Sequence, residues 1–223
     1  MCGRFTLTTN LGAIAERFGV ARFLEEVGPR YNIAPTQTVI VVGDDGQRNF
    51  VEMQWGLIPS WAKDPVIGNR MINARAETLA VKSAFRVALR KRRCLVVADG
   101  FYEWQQRGRT KQPFRIVLKN REPFGFAGLW DKWISPEGNE VRMCTIITTE
   151  ANDLLKPIHD RMPVILTREA EGLWLDPTIE EPAKLLPLLT PHPAEEMEVY
   201  PVSTWVNNPA HDSQECIQPL PLR

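Results

Sequence analysis

Apolar residues in this chain fall mostly in short runs, rich in β-branched and aromatic side chains and broken by Gly, Pro and Asn. That pattern predicts strands at Thr38–Val42, Arg48–Trp55, Cys94–Ala98, Pro113–Leu118, Phe124–Trp130, Val141–Thr148 and Val164–Leu166. Gly43-Asp44-Asp45-Gly46 reads as the turn of a hairpin joining the first two. Cys94–Ala98 is apolar throughout, as expected of a strand covered on both faces. Gly3–Leu7 continues as a short strand that ties down the N-terminus. Helical spacing is scarcer. Asn10 reads as the N-cap of a helix carrying Leu11, Ile14, Ala15 and Phe18 on one face. Thr78–Leu89 reads as a helix ending in Arg90-Lys91-Arg92-Arg93, cations that suit a helix C-terminus first and a phosphate second. Thr167 caps a helix with Leu173, Trp174 and Leu175, and Ala183–Leu189 forms another. Many short strands with few helices predict a β-rich α+β domain, with an irregular, mobile Pro-rich tail from Asn207 to Arg223.

Composition changes this picture little. At 223 residues, 43% hydrophobic and 24% charged, the chain reads as an ordinary globular protein. No apolar run approaches the ~20 residues of a membrane span, and no secretory h-region is visible, so the expected address is the cytoplasm. Net charge is zero, 27 basic against 27 acidic residues, so a nucleic acid would have to be met by a local basic patch. Cys2, Cys94, Cys144 and Cys216 form no Cys-x-x-Cys pair, and His159, His192 and His211 show no metal-ligand spacing with them. Neither a disulfide framework nor a metal is expected, and no cofactor.

Four features carry candidate chemistry. Removal of Met1 would leave Cys2 as the mature terminus, with an amine and a thiol on one residue. Reference pKa values near ~8 and ~8.5 leave both partly nucleophilic at neutral pH. An aldehyde meeting them can form a Schiff base and then close a five-membered thiazolidine; alternatively Cys2 is an accident of translation. Glu103 lies among aromatics in Asp99-Gly100-Phe101-Tyr102-Glu103-Trp104. Such a setting raises a carboxylate's pKa, but alternation with Tyr102 and Trp104 equally allows a solvent-facing residue. His159, between Ile158 and Asp160-Arg161, reads as a general acid or as a surface histidine. Trp61, in Trp55-Gly56-Leu57-Ile58-Pro59-Ser60-Trp61, reads as a core plug or as a stacking platform.

Cys2-Gly3-Arg4-Phe5, Arg30-Tyr31-Asn32-Ile33-Ala34-Pro35, the Trp55–Trp61 run, Asn73-Ala74-Arg75-Ala76-Glu77-Thr78, Asp99–Trp104 and His159-Asp160-Arg161-Met162-Pro163 occur in the order of one family. Together they resemble the SRAP family, the SOS-response-associated peptidases, which includes abasic-site-shielding proteins. The likeness spans roughly residues 2 to 206 and implies an SRAP domain over 1–206, with 207–223 as a tail without a counterpart. It implies a distorted antiparallel barrel with flanking helices, and covalent capture of abasic sites in single-stranded DNA by a monomer, nucleoid-associated if bacterial. By the same resemblance Cys2 is the nucleophile, Asn73 positions the amine, and Glu103 and His159 handle protons. Arg4, Arg75 and Arg161 hold phosphates, Thr148 joins the strand contacts, and Trp61 packs near the bases. A peptidase using Cys2 and a passive single-strand binder are the alternatives, separable by Cys2→Ala.

Overall fold

The computed structural model describes residues 2–20, 28–44, 47–62 and 64–221. In chain order the elements are β1 (Phe5–Leu7), α1 (Leu11–Phe18), β2 (Arg30–Ile33), β3 (Thr38–Asp44), β4 (Arg48–Trp55), β5 (Asn73–Arg75), α2 (Arg86–Lys91), β6 (Arg93–Ala98) and β7 (Gly100–Arg107). There follow β8 (Thr110–Leu118), β9 (Phe124–Ile134), β10 (Glu140–Glu150), β11 (Arg161–Pro163), α3 (Arg168–Leu175), α4 (Pro182–Leu185) and β12 (Met197–Pro201).

The expected β-rich α+β domain is present. Strands β10, β4, β3, β6 and β9 are joined in that order, and β9 pairs back with β10, so this sheet closes into a five-stranded barrel. Its pairings are antiparallel except for a parallel seam where β4, and beyond it β5, lie along β10. A second sheet, ordered β12-β8-β7-β1-β2, packs against it. Closure of the first sheet removes its edges. Phe5 of the second sheet meets Trp55 and Phe126 of the first edge-on, with ring centroids 5.2 and 5.9 Å apart. Burial of these large rings holds the sheets together and fixes where β1, which carries the N-terminal residues, lies.

Several local expectations hold. The β3–β4 hairpin is in register from Thr38↔Gln54 to Asp44↔Arg48, although Asp45 and Gly46 of its expected turn lie outside the described residues. Asn10 caps α1 through a bond from the Ala13 amide, and Ile14, Ala15 and Phe18 are buried. Thr167 caps α3 in the same way. β6 is buried at every position. Arg93, just past α2 at the start of β6, serves the helix C-terminus as a cation there should, donating Nη1 to the Leu89 carbonyl at 2.9 Å.

Three expectations need correction. Thr78–Leu89 is not one helix: residues 76–78 form a 3₁₀ turn and α2 begins only at Arg86. Leu79 and Phe85 are both buried, yet six positions apart they would point about 120° from one another around a helix. The intervening turns bring both onto the core. α4 gives way after Leu185 to a 3₁₀ turn containing Pro187, which lacks the N–H that a helix would need. The strand expected at Val164–Leu166 lies earlier, at Arg161–Pro163, with Ile165 making a single bridge to Phe126.

Through Pro221 the tail is irregular, apart from a 3₁₀ turn at Gln214–Ile217 and a single bridge from Pro219 to Val202, and it is firmly attached. Asp212 accepts from the Asn32 amide at 2.9 Å and pairs with Arg30 at 2.6 Å. Cys216 is buried with Tyr102, Val202 and Val206.

Candidate active site

β1 is only three residues long, and side chains compensate for its few ladder bonds. Asp99, at the β6–β7 junction, accepts from the hydroxyls of Thr6, Thr8 and Thr9 at 2.6, 2.7 and 3.0 Å. Arg115 lies 3.5 Å from the same carboxylate. Gly100 is required here, since a Cβ would stand 2.9 Å from both Thr6 Oγ1 and Arg115 Nε. Upstream, Arg4 donates Nη1 to Asn32 Oδ1 at 2.7 Å and to the Val206 carbonyl at 2.8 Å. Cys2 is thereby held inside the molecule at 0% exposure, its thiol 4.0 Å from the Arg4 carbonyl.

Burial, followed by the charge of Glu103, pushes the Cys2 thiol far above its ordinary value. This corrects the expectation of a thiol partly ionised without tuning: a base must take its proton when it reacts. Glu103 is 3% exposed, and burial raises its pKa to about 7. The solvent-facing alternative fails for a clear reason. Tyr102 and Trp104 do share a face, packed under the tail residues Val206 and Ile217. The opposite face, carrying Phe101 and Glu103, turns into the space between the sheets.

Glu103 and His159 line one cleft of about 420 Å³ with Arg4, Trp104, Lys111 and Asn207. Nothing local in the sequence points to Lys111 or Asn207: Asn207 lies at the start of the tail, and no pattern separates Lys111 from other surface lysines. Asn207 Oδ1 accepts from the Trp104 indole at 2.8 Å, closing that side of the cleft. His159 is partly buried, which lowers its pKa below the ordinary histidine value. Its Nδ1 is met from two sides, by the Arg161 amide at 3.0 Å and by an Asp160 oxygen at 2.9 Å. The neutral ring fits the first, leaving its proton on Nε2, and the imidazolium fits the second.

Asn73 stands on β5 beside Ile146 of β10. Its amide donates to the Ile72 carbonyl at 3.0 Å, while Oδ1 is buried without a partner among the described residues. Such an acceptor is suited to an N–H that arrives with chemistry. Arg161 of β11 is forked onto Glu77 at 2.6 and 3.0 Å and also donates to the Thr148 carbonyl at 2.7 Å. Thr148 itself is fully buried, so its hydroxyl does not face solvent. Arg75, opposite Thr148 in the β5–β10 register, is exposed and has no carboxylate within ion-pair distance among the described residues.

The two-tryptophan loop divides its roles. Trp55 is a core plug, fully buried, with its indole donating to the Ile72 carbonyl at 2.9 Å. Trp61 is 63% exposed beside a hollow of about 550 Å³ that Val66, Ile67 and Arg70 also line. Gly56 pins this loop: its φ is +132°, and a Cβ would lie 2.7 Å from the Gly68 carbonyl oxygen. Among the described residues no group of three or more His, Cys, Asp or Glu is arranged to hold a metal, and no helix is long and apolar enough to cross a membrane.

The family model for SOS response associated peptidase (SRAP) matches residues 1–209. The chain belongs to the SRAP family. It is 50% identical over 222 residues to the abasic site processing protein YoqW of Bacillus subtilis (strain 168), covering 98% of this chain and 99% of that one. It is 37% identical over 231 residues to the abasic site processing protein HMCES of Gallus gallus, covering 87% of this chain and 67% of the relative. A crystal structure of a Bacteroides thetaiotaomicron protein superposes with a TM-score of 0.88 at 28% identity, covering 98% of this chain and all of the other. The fold is thus shared with that solved structure over nearly the whole chain.

Proposed function

We propose that this SRAP protein processes abasic sites in single-stranded DNA, capturing the lesion covalently through Cys2 once Met1 has been removed. The observation that carries this reading is the placement of Cys2, buried within the electrostatic reach of a carboxylate whose pKa is about 7, beside a cleft that also holds a histidine. The names of its SRAP relatives support the choice of lesion.

The chemistry follows from the groups present. An abasic sugar is largely a closed hemiacetal, and His159 protonates the ring oxygen while the anomeric hydroxyl releases its proton to solvent, exposing the aldehyde. The Cys2 amine adds to that carbon, its orientation fixed by the free Asn73 Oδ1, and water leaves as the imine forms. Glu103 takes the amine proton and returns it to the carbinolamine hydroxyl that leaves as water. It is then free to take the thiol proton, which burial would otherwise hold in place, and to pass it to the nitrogen. Sulfur bonds to the imine carbon, the nitrogen regains a proton, and the thiazolidine ring is closed without oxidant or metal. Arg75 offers its free guanidinium to a phosphate, and Arg161, set by Glu77 and Thr148, offers a second contact. Arg4 lines the cleft, and Trp61 presents a ring face on which a base can stack.

The test is incubation with an oligonucleotide bearing one abasic site, read as a denaturation-resistant band after intact mass has shown that Met1 is absent. Adduct from Cys2→Ala as durable as from the unaltered protein would falsify the ring closure. Release of peptide fragments with no DNA adduct would favour the peptidase alternative instead.

A further inference from the structure

The β7–β8 ribbon projects beyond its own sheet. β1 pairs with β7 only at Gly100 and Phe101, and β12 pairs with β8 only from Phe114 onward. The Val202 amide still reaches the Pro113 carbonyl at 3.1 Å, and from Gln105↔Gln112 to Arg107↔Thr110 the two strands pair with each other alone. The ribbon's base is fastened on both sides. Gln105 donates to the Pro157 carbonyl at 2.9 Å, in the turn that leads to His159, and Gln112 donates to the Val202 carbonyl at 2.9 Å. At ~3.3 Å per residue, its tip stands roughly 10 Å beyond Trp104.

Three cations decorate this ribbon: Arg107, Arg109 and Lys111, all exposed. Among the described residues none of them has a carboxylate within ion-pair distance. Elsewhere in this neutral chain many cations are paired, as Arg17 is with Glu171, Arg92 with Asp131 and Arg168 with Glu122. Arg107 is also pre-set, with its Nε donating to Gln105 Oε1 at 2.8 Å and its guanidinium 5.7 Å from the Phe114 ring centroid. Lys111 lines the same cleft as Glu103 and His159, so the positive edge runs from that cleft outward.

Charges that only keep an open ribbon soluble need neither continuity with a cleft nor a fixed guanidinium. We infer that the β7–β8 ribbon is a second strand-binding surface, holding phosphates of the single-stranded DNA arm on one side of the captured lesion. Arg75 and Arg161, on β5 and β11 of the barrel sheet, then serve a separate stretch of the same strand. The inference rests on the proposed function and supplies what zero net charge demands, a local patch where attraction to a polyanion is concentrated.

Equilibrium binding to a single strand, measured against salt, tests it. Arg107→Gln, Arg109→Gln and Lys111→Gln together should lower the log–log slope by about 2, at ~0.7 for each single-strand phosphate that the protein ceases to neutralise. The charge-keeping set Arg107→Lys, Arg109→Lys and Lys111→Arg should restore most of it. With oligonucleotides carrying the abasic site at one end, at the centre or at the other end, the defect should appear only where an arm extends toward the ribbon. Thermal melting of each variant checks that the fold persists. An unchanged slope on every oligonucleotide, with adduct still formed by the unaltered protein, overturns the ribbon surface alone. Equal loss for all lesion positions overturns the one-sided arm. Failure of the unaltered protein to form any adduct overturns the reading of the site, and the inference with it.

Discussion

Cys2 and Glu103 are enclosed between two sheets, and both have pKa values raised by burial. Trp61 and Arg75 stand in solvent, on a loop and a three-residue strand. Both regions serve the same DNA in the proposed function, yet they depend on opposite surroundings. Loss of water at the enclosed end strengthens the effect of each charge and makes proton affinity adjustable. At the exposed end water and salt screen each charge, so a contact is weak, additive and exchangeable. Covalent chemistry at one atom needs the first setting, and holding a flexible polyanion without reading its sequence needs the second. Arg161 stands between the two, mostly shielded and already forked onto Glu77.

This contrast can be broken most severely at the enclosed end. Cys2→Ala and Cys2→Ser should abolish the durable adduct, while Cys2→Ser keeps an amine whose Schiff base borohydride can still trap. Gel-resolved adduct with and without borohydride reads both.

Glu103→Gln should slow capture by about 100- to 10,000-fold, the span of a lost general base. In the unaltered protein the rate should fall as pH drops through about 7, where Glu103 gains its proton. The same variant sharpens the comparison in stability. The folded pKa of Glu103 lies above its ordinary 4.5, so the protonated form favours the fold. Its contribution is fully present below pH 4.5 and is lost as pH rises through about 7. At ~1.4 kcal/mol per unit this amounts to at most roughly 3 kcal/mol by pH 8. Denaturant melts should show Glu103→Gln more stable than the parent at pH 8 and no better at pH 4. A parent stability that is flat between those limits would mean that the carboxylate is effectively hydrated.

His159→Ala should cost on the order of 100-fold on a closed abasic sugar and far less on a small, open aldehyde. Because burial lowers the His159 pKa, its contribution should fade with rising pH earlier than that of an ordinary histidine. Single-turnover rates on both substrates across pH separate ring opening from strand placement; equal losses on both would assign His159 to placement.

The smallest effects belong to the exposed end. Trp61→Ala should lose about 1–3 kcal/mol of strand affinity per stacked base and leave the salt slope unchanged. Arg75→Ala should lower that slope by ~0.7 and leave the melting temperature in place. Arg161→Ala should lower both, since it strands Glu77 and the Thr148 carbonyl. Anisotropy titrations over a salt series, paired with thermal melts, make the distinction.

Legibility in the sequence divides along similar lines. β6, the β3–β4 strands and the capped helices α1 and α3 were readable because each follows from residues close together in the chain. Cys2, Glu103 and His159 stood out as local candidates with alternatives still open, while Asn73 and the arginines entered through motif order, which identifies residues without showing their surroundings. The burial of Glu103 was not readable from alternation, because what encloses it comes from distant segments. Asn207 was hidden for the same reason, since a Pro-rich stretch gives no local sign that it will dock. The suppressed Cys2 thiol follows from burial that no five-residue window can show. The Thr78–Leu89 helix was misplaced because two core residues can be buried by turns as readily as by one helical face.

The bond from Arg4 to the Val206 carbonyl spans 202 positions, and Asn32 is held to the carbonyls of Val206, Asn208 and His211. During translation the segment bearing Cys2 emerges well before the segment that fastens it. A ribosome-bound chain therefore displays Cys2 before its surroundings exist, as an accessible terminus open to removal of Met1. The surroundings of Cys2 are thus completed only after Val206, Asn208 and His211 have been made and have closed over Arg4 and Asn32.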